Sequence, residues 1–390
     1  MSAEGDRLLR ETGTTPITPH NHLQLITRLR QQIDPARAQA VIETLLLRQL
    51  AAVKFSRADR MFFTRAALEQ ASSEIVSTYR AKRFAAAGFT KIADLGCGIG
   101  GDALALAAVG DSIGVDLNPV RLAMAAENVR VYGHSGRFTP LEADLATLLP
   151  DAKIWPFPVQ ALFFDPARRD AHGRRIHSVR QYRPPLSLMD QWRRQIPDAA
   201  VKISPGVDYA ELPDDTEIEF ISVKGEVKEG VLWFGELRTG VNRRATLLPG
   251  EHTLSDEEGK GKPIPATSPR SFLYEPDKAV IRAHLVEQLA ARLNATKIDV
   301  EIAYLTAGMA QQTPFARCYA IEATFPFQLK RLRHYLREHR IGRITIKKRG
   351  SPLDPDELRR RLRLRGEGHR FVFLTHVLGE AAVLIGQAVS

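Results

Sequence analysis

The residues best placed to do chemistry in this chain are a glycine cluster and three acids. Asp94-Leu95-Gly96-Cys97-Gly98-Ile99-Gly100-Gly101 follows an apolar run and precedes the helix-like Asp102-Ala103-Leu104-Ala105-Leu106-Ala107-Ala108. Glycines at the carboxyl end of a strand let a ligand approach the backbone closely. Asp116 stands 20 residues after Gly96, at the end of Ser112-Ile113-Gly114-Val115-Asp116. Read literally, Gly96, Gly98 and Gly101 satisfy G-x-G-x-x-G, with Asp116 where a dinucleotide-binding protein keeps its ribose-binding acid. A nicotinamide-dependent oxidoreductase is therefore one reading of these positions. A later apolar run ends in a second signature, Phe163-Phe164-Asp165-Pro166-Ala167-Arg168-Arg169-Asp170.

These residues need elements to hold them. From 76 to 250, strand-like runs (Lys91 to Leu95, Ser112 to Asp116, Ala161 to Asp165, Ala200 to Ile203) alternate with helix-like ones. Such alternation implies βαβ units and a largely parallel sheet. Residues 1–75 read as a helical region, with apolar positions at helical spacing between Ala38 and Leu47 and around Met61-Phe62-Phe63. Residues 251–269 are rich in Gly, Pro, Ser and charge, as in a linker. Residues 270–390 suggest a small α+β domain: one amphipathic helix from Asp277 to Asn294, a basic helix from Phe327 to Arg340, and a strand from Arg343 to Lys347.

An acid two residues before the first glycine, together with Asp165-Pro166 after a later strand, resembles the class I S-adenosylmethionine-dependent methyltransferases. The resemblance implies a Rossmann-like sheet. It implies that Asp94, Gly96 and Gly98, with Gly100 beside them, hold the methionine part of S-adenosylmethionine. It places Asp116 on the ribose hydroxyls and Asp144, in Leu141-Glu142-Ala143-Asp144-Leu145, at the adenine amino group. Vicinal hydroxyls are paired donors that an acceptor-only carboxylate takes together, which agrees with Asp116. The alternative for Asp116 is a cap for a helix beginning near Pro119. Asp165-Pro166 is similar to the Asp/Asn-Pro-Pro-aromatic signature of enzymes that methylate exocyclic amines of nucleic-acid bases. There the carboxylate and the proline carbonyl orient the nitrogen lone pair, which makes Asp165 and Pro166 the candidate catalytic residues. Ala167 and Arg168 depart from that signature. Arg168 replaces the stacking aromatic, and its planar guanidinium could stack on a base, bind phosphate or stay solvated.

The last 121 residues carry 21 Lys/Arg and 12 Asp/Glu, and the whole chain has a net charge of +10, which favours polyanionic partners. Pro314-Phe315-Ala316-Arg317, Leu329-Lys330-Arg331-Leu332-Arg333 and Ile344-Thr345-Ile346-Lys347-Lys348-Arg349-Gly350 resemble the THUMP-like domain attached to one bacterial group of these methyltransferases. That likeness implies an RNA substrate, tRNA or rRNA, with Lys347, Lys348 and Arg349 on its phosphates. A protein or small-molecule acceptor, or an RNA-binding protein that keeps the pocket without turnover, are the other readings.

Two distant cysteines give no disulfide framework or metal-ligand spacing, and no cysteine near Asp165 could attack a pyrimidine carbon. No metal is expected. No run of roughly 18 apolar residues suggests a membrane span, so a cytoplasmic protein is expected. Nothing in the pattern specifies an oligomeric state.

Overall fold

The computed structural model describes residues 3–150, 153–168, 174, 176, 178–258 and 263–389. By compactness the chain divides into two units, Met1–Thr216 with Val231–Thr239, and Glu217–Gly230 with Gly240–Ser390.

The first unit begins with helices α1 (Ala3–Thr12), α2 (His22–Arg30) and α3 (Pro35–Ala51). Asp34 caps α3 by accepting from the Arg37 N–H, and Pro35 suits a first-turn position whose own N–H would have no partner. Ala38, Val41, Ile42 and Leu45 then fall on one face and close a small core with Leu8, Leu9, Ile26 and Leu29. Helices α4 (Arg65–Gln70) and α5 (Glu74–Ala86) lead to the sheet. There β1 (Lys91–Leu95), α6 (Ala103–Val109), β2 (Asp111–Asp116), α7 (Pro119–Val131), β3 (Phe138–Glu142), β4 (Ala161–Phe164), α8 (Ser187–Trp192) and β5 (Ala199–Ile203) follow in turn.

The five strands run parallel in the order β3-β2-β1-β4-β5. β4 and β5 are buried along their whole length, as expected for strands covered on both faces. The order reverses at β1, which pairs with β2 on one side and β4 on the other. The carboxyl ends of β1 and β4 therefore flank the crevice where open α/β sheets bind ligands.

The second unit contains β6 (Glu217–Val223), β7 (Glu226–Trp233, whose last three residues belong to the first unit), β8 (Arg243–Leu248) and β9 (His252–Ser255). β6 is parallel to β8, and β9 returns antiparallel along β8. β9 lies inside the stretch expected to be a linker. The alternation of His252 to Ser255 buries Leu254 completely, so the Gly- and charge-rich composition belongs to the residues after the strand and not to the whole of 251–269. Downstream come β10 (Phe272–Pro276), α9 (Lys278–Arg282), α10 (Val286–Arg292), β11 (Thr296–Lys297), β12 (Leu305–Ala307), β13 (Ala316–Pro326), α11 (Leu329–Glu338), β14 (Ile341–Lys348), α12 (Pro355–Leu362), β15 (Gly368–Val377) and β16 (Glu380–Ala388).

Seven of these strands form a sheet ordered β11-β12-β10-β13-β16-β15-β14, with β14 at its edge. The single helix expected from Asp277 to Asn294 is two. His284 adopts φ 56 between them, and the turn lets Ala279 and Val280 on one piece and Leu289 and Ala290 on the other all reach the interior.

Candidate active site

The glycine turn and the Asp165 loop meet. Gly96 and Cys97 both donate to the Val115 carbonyl (2.8 and 2.9 Å), which fixes the turn at the end of β1. Gly96 has φ 86, and a Cβ there would lie 2.8 Å from the Asp165 carbonyl oxygen. Only glycine satisfies both the backbone angle and that approach. Gly100 is demanded by packing, since its Cβ would crowd Ala125 of α7 at 3.1 Å. Around Gly98 the space is open: beyond its own chain neighbours, no atom of the described residues lies within 4 Å of where a Cβ would stand.

Asp116 does not cap α7. Asn118 does so, accepting from the N–H groups of Val120 and Arg121. The Asp116 carboxylate instead accepts from the Gly98 N–H (2.9 Å) and the Asn118 N–H (2.8 Å), which lock it at the crevice with lone pairs to spare. Asp144 is exposed two residues beyond β3 and accepts from the Ala146 N–H. It borders a shallow groove lined by Thr147, Leu149 and Ile154 among others.

Asp94 is 1% exposed, and neither of its carboxylate oxygens has a hydrogen-bond partner. Burial first, then the carboxylates of Asp102 and Asp165, push its carboxyl well above the usual range, while Arg80 and Lys202 oppose that shift. Those two cations are themselves engaged. Arg80, buried in α5, pairs with Asp102, donates to the Ser72 hydroxyl (2.8 Å) and lies over the Phe163 ring. Lys202, buried in β5, donates to the Ser72 hydroxyl (3.0 Å) and to Asp165 Oδ2 (2.6 Å).

Three carboxyls and two cations leave one acid short of a positive partner, and Asp94 is the one whose oxygens are orphaned. A ligand carrying an ammonium group fits that deficit. S-adenosylmethionine has such a group on its methionine end, and its ribose and adenine would call on Asp116 and Asp144. The residues present therefore suit this cofactor.

Asp94, Gly96, Gly98, Asp116 and Asp165 thus converge, whereas Arg168 is turned to structural work. It donates to the Ile203 carbonyl at 2.9 Å and ties the loop to the end of β5. Arg169 and Asp170 lie outside the described residues. Burial raises the Cys97 thiol well above its ordinary pKa, which removes it as a nucleophile. In the second unit, Lys347 pairs with Glu275 (2.9 Å), Arg349 donates to the Ala303 carbonyl and Lys348, which stays exposed, donates to the Leu353 carbonyl, so each cation expected on phosphate has a partner within its own domain. Among the described residues no group of three or more His, Cys, Asp or Glu is arranged to hold a metal, and no helix is long and apolar enough to cross a membrane.

Ser72, Arg80, Asp102 and Lys202 escape the reading of sequence alone. Lys202 left a trace: it is the one charge in Ala199-Ala200-Val201-Lys202-Ile203, and a lysine is almost never fully buried without a partner.

Three family models match the chain: RNA cap guanine-N2 methyltransferase over 89–168, THUMP domain-like over 316–388, and a domain of unknown function over 1–51. An uncharacterized S-adenosylmethionine-dependent methyltransferase of Mycobacterium tuberculosis, the same match in two strains, is 35% identical over 354 residues. The match covers 87% of this chain and 93% of that protein. A solved structure from Porphyromonas gingivalis W83, assigned as a methyltransferase, superposes with a TM-score of 0.79 at 21% identity over 99% of this chain and 98% of that one, which shows a shared fold.

Proposed function

The chain belongs to the class I S-adenosylmethionine-dependent methyltransferases that carry a THUMP-like domain, and we propose that its acceptor is a nitrogen of an RNA base, in tRNA or rRNA, presented at Asp165 and Pro166. The observation that carries this reading is the close approach of the Gly96 turn to the Asp165 backbone, which sets the Asp165 loop beside the turn expected to hold the cofactor. The match to a family described as RNA cap guanine-N2 methyltransferase runs through both segments and supports an exocyclic amine.

The bound cofactor supplies a methyl group activated by a sulfonium. The chain's part is to aim the acceptor. Lys202 occupies Oδ2 of Asp165, which leaves Oδ1 and the Pro166 carbonyl to accept the two N–H bonds of the amine. With both hydrogens engaged, the nitrogen lone pair would be held in one direction, toward a methyl group presented by the cofactor, and much of the rate would come from that orientation. As positive charge grows on the nitrogen, the fixed Asp165 carboxylate stabilises it and can receive the departing proton. Asp94 would hold the ammonium and Asp116 the ribose, so that neither end of the cofactor would drift.

The test is methyl transfer from labelled S-adenosylmethionine to RNA from cells lacking the protein, followed by nucleoside analysis. Label in a nitrogen-methylated base is expected. Label only in protein or in small molecules would overturn the RNA assignment, and label on a ribose oxygen would overturn the nitrogen.

A further inference from the structure

The charge of this chain is concentrated to an unusual degree. Residues 327–370 contain fifteen Lys/Arg and five Asp/Glu, a net +10 that equals the formal net charge of the whole chain. The other residues together are neutral. Twelve of the fifteen are arginine, whose planar fork matches phosphate oxygens in pairs and stacks on bases.

The fold sorts these cations. Lys347 and Arg349 are half-buried and bonded to Glu275 and to the Ala303 carbonyl, whereas Lys348 is exposed and donates to the Leu353 carbonyl. Helices α11 and α12 behave differently. Each inserts two leucines, Leu332 and Leu336 from α11 and Leu358 and Leu362 from α12, into one core cluster that also contains Ile341 and Ile344 of β14. Spacing of four residues puts each leucine pair on one face, so the other faces turn to solvent, where cations outnumber the acids Glu338, Asp356 and Glu357, the last two paired with Arg359 and Arg361 respectively. The helices are neighbours, since Arg333 donates to the Arg361 carbonyl (2.6 Å) and Arg337 to the Arg363 carbonyl (3.4 Å) at the end of α12. Lys330, Arg331, Arg337, Arg360, Arg363 and Arg365 are all exposed across this pair. Beside them Arg343 and Arg359 line a concavity with Gly342, Ile344 and Leu364.

We infer that the paired outer faces of α11 and α12, with the concavity beside β14, form the surface on which the RNA acceptor lays its phosphate backbone, and that Lys347 and Arg349 serve the domain's own fold. The inference rests on the proposal of an RNA acceptor and adds where the RNA is held. Charge complementarity is its ground: a polyanion releases counterions on each phosphate contact, and residues 327–370 carry an excess of ten positive charges.

The experiment uses the full chain and a fluorescent 30-nucleotide mixed-sequence RNA, with binding followed against salt by anisotropy. The variant is Lys330→Glu, Arg360→Glu and Arg365→Glu combined, with Lys330→Gln and Arg360→Gln as a milder pair should the reversal fail to fold. S-adenosylmethionine affinity and melting temperature report an intact protein. We expect the triple variant to bind RNA at least about tenfold more weakly and its salt slope to fall by about 0.7 for each phosphate that is no longer neutralised. Wild-type affinity and slope in a folded variant would overturn the inference while leaving the RNA reading intact. Absence of RNA binding by the wild type, or equal binding of polyglutamate with the same slope, would overturn it as well. Loss of binding in the variant, with no transfer of label to RNA by the wild type, would support the surface and sink the acceptor assignment.

Discussion

The crevice at β1 and β4 and the helix pair α11 and α12 both depend on charge, and they use it in opposite ways. In the crevice, Arg80 and Lys202 are buried and each is consumed by a carboxylate and the shared Ser72 hydroxyl, so the net field is small and the geometry is fixed. On the helix pair most cations are exposed and they outnumber the acids, so a net positive charge is left facing solvent. Buried ion pairs lose solvation and are retained where position matters, whereas exposed charges cost little and act over a Debye length of about 8–10 Å. One region can orient an atom for reaction and the other can only attract and seat a polymer.

The comparison breaks most readily at Arg80. Arg80→Met leaves Asp102 buried without its cation and should lower unfolding free energy by about 3–5 kcal/mol, measured by urea denaturation. A loss under about 1 kcal/mol would mean that the buried network is no more than a surface pair in effect. Next is Asp165→Ala, which should reduce methyl transfer by about 10²–10³-fold with S-adenosylmethionine affinity kept by calorimetry. Lys202→Met should follow it in kcat with little change in cofactor affinity, and Lys202→Arg should restore part of the rate, because the lysine acts by pinning Asp165. An equal loss in Lys202→Arg would show that a cation at Oδ2 is not what matters.

Asp116→Ala comes third. Losing charge-assisted bonds to two hydroxyls, each worth about 1.5–3 kcal/mol, should weaken cofactor binding by about 10²-fold or more, and unchanged affinity would remove Asp116 from the ribose. The smallest expected effect is one of pH. The Asp94 carboxyl is raised in the free protein, so it keeps its proton above the usual Asp range. An ammonium beside it favours the carboxylate, and binding therefore releases a proton. Affinity should tighten by up to about tenfold per pH unit as pH rises through the free-protein value, until the α-ammonium itself titrates near about pH 7.7–8.0. The same raised value means that the folded state binds more protons than the unfolded one, so Asp94 costs stability as pH rises above the ordinary range. Asp94→Asn should abolish both trends, and a pH-independent affinity in the native protein would remove Asp94 from the ammonium.

Much of the first unit was legible because its signals are local. The strand at Lys91 to Leu95 and the helix beginning at Pro119 were marked by apolar runs, and the carboxyl ends of two strands could be named as a site before any coordinates. The second unit was harder. A four-residue strand such as β9 is too short for its alternation to outweigh the Gly and charge that come after it, and the turn at His284 has no glycine to announce it. Lys347 and Arg349 show the same limit, since a run of cations looks alike whether it faces solvent or Glu275 and Ala303.

The sequence by itself determined the glycine turn, the acid at the end of the second strand, the Asp-Pro after the fourth and the cationic C-terminal third, because each is written in neighbouring residues. Only the tertiary structure decided which charges are spent and which are left over. Ser72 with Arg80, then Asp102, Asp165 and Lys202, come from four separate stretches of chain, and their pairing follows from how the sheet and its flanking helices bring those stretches together. Charge pairing is a property of distance in space, and residues far apart along the chain carry no mark of it until packing has set that distance.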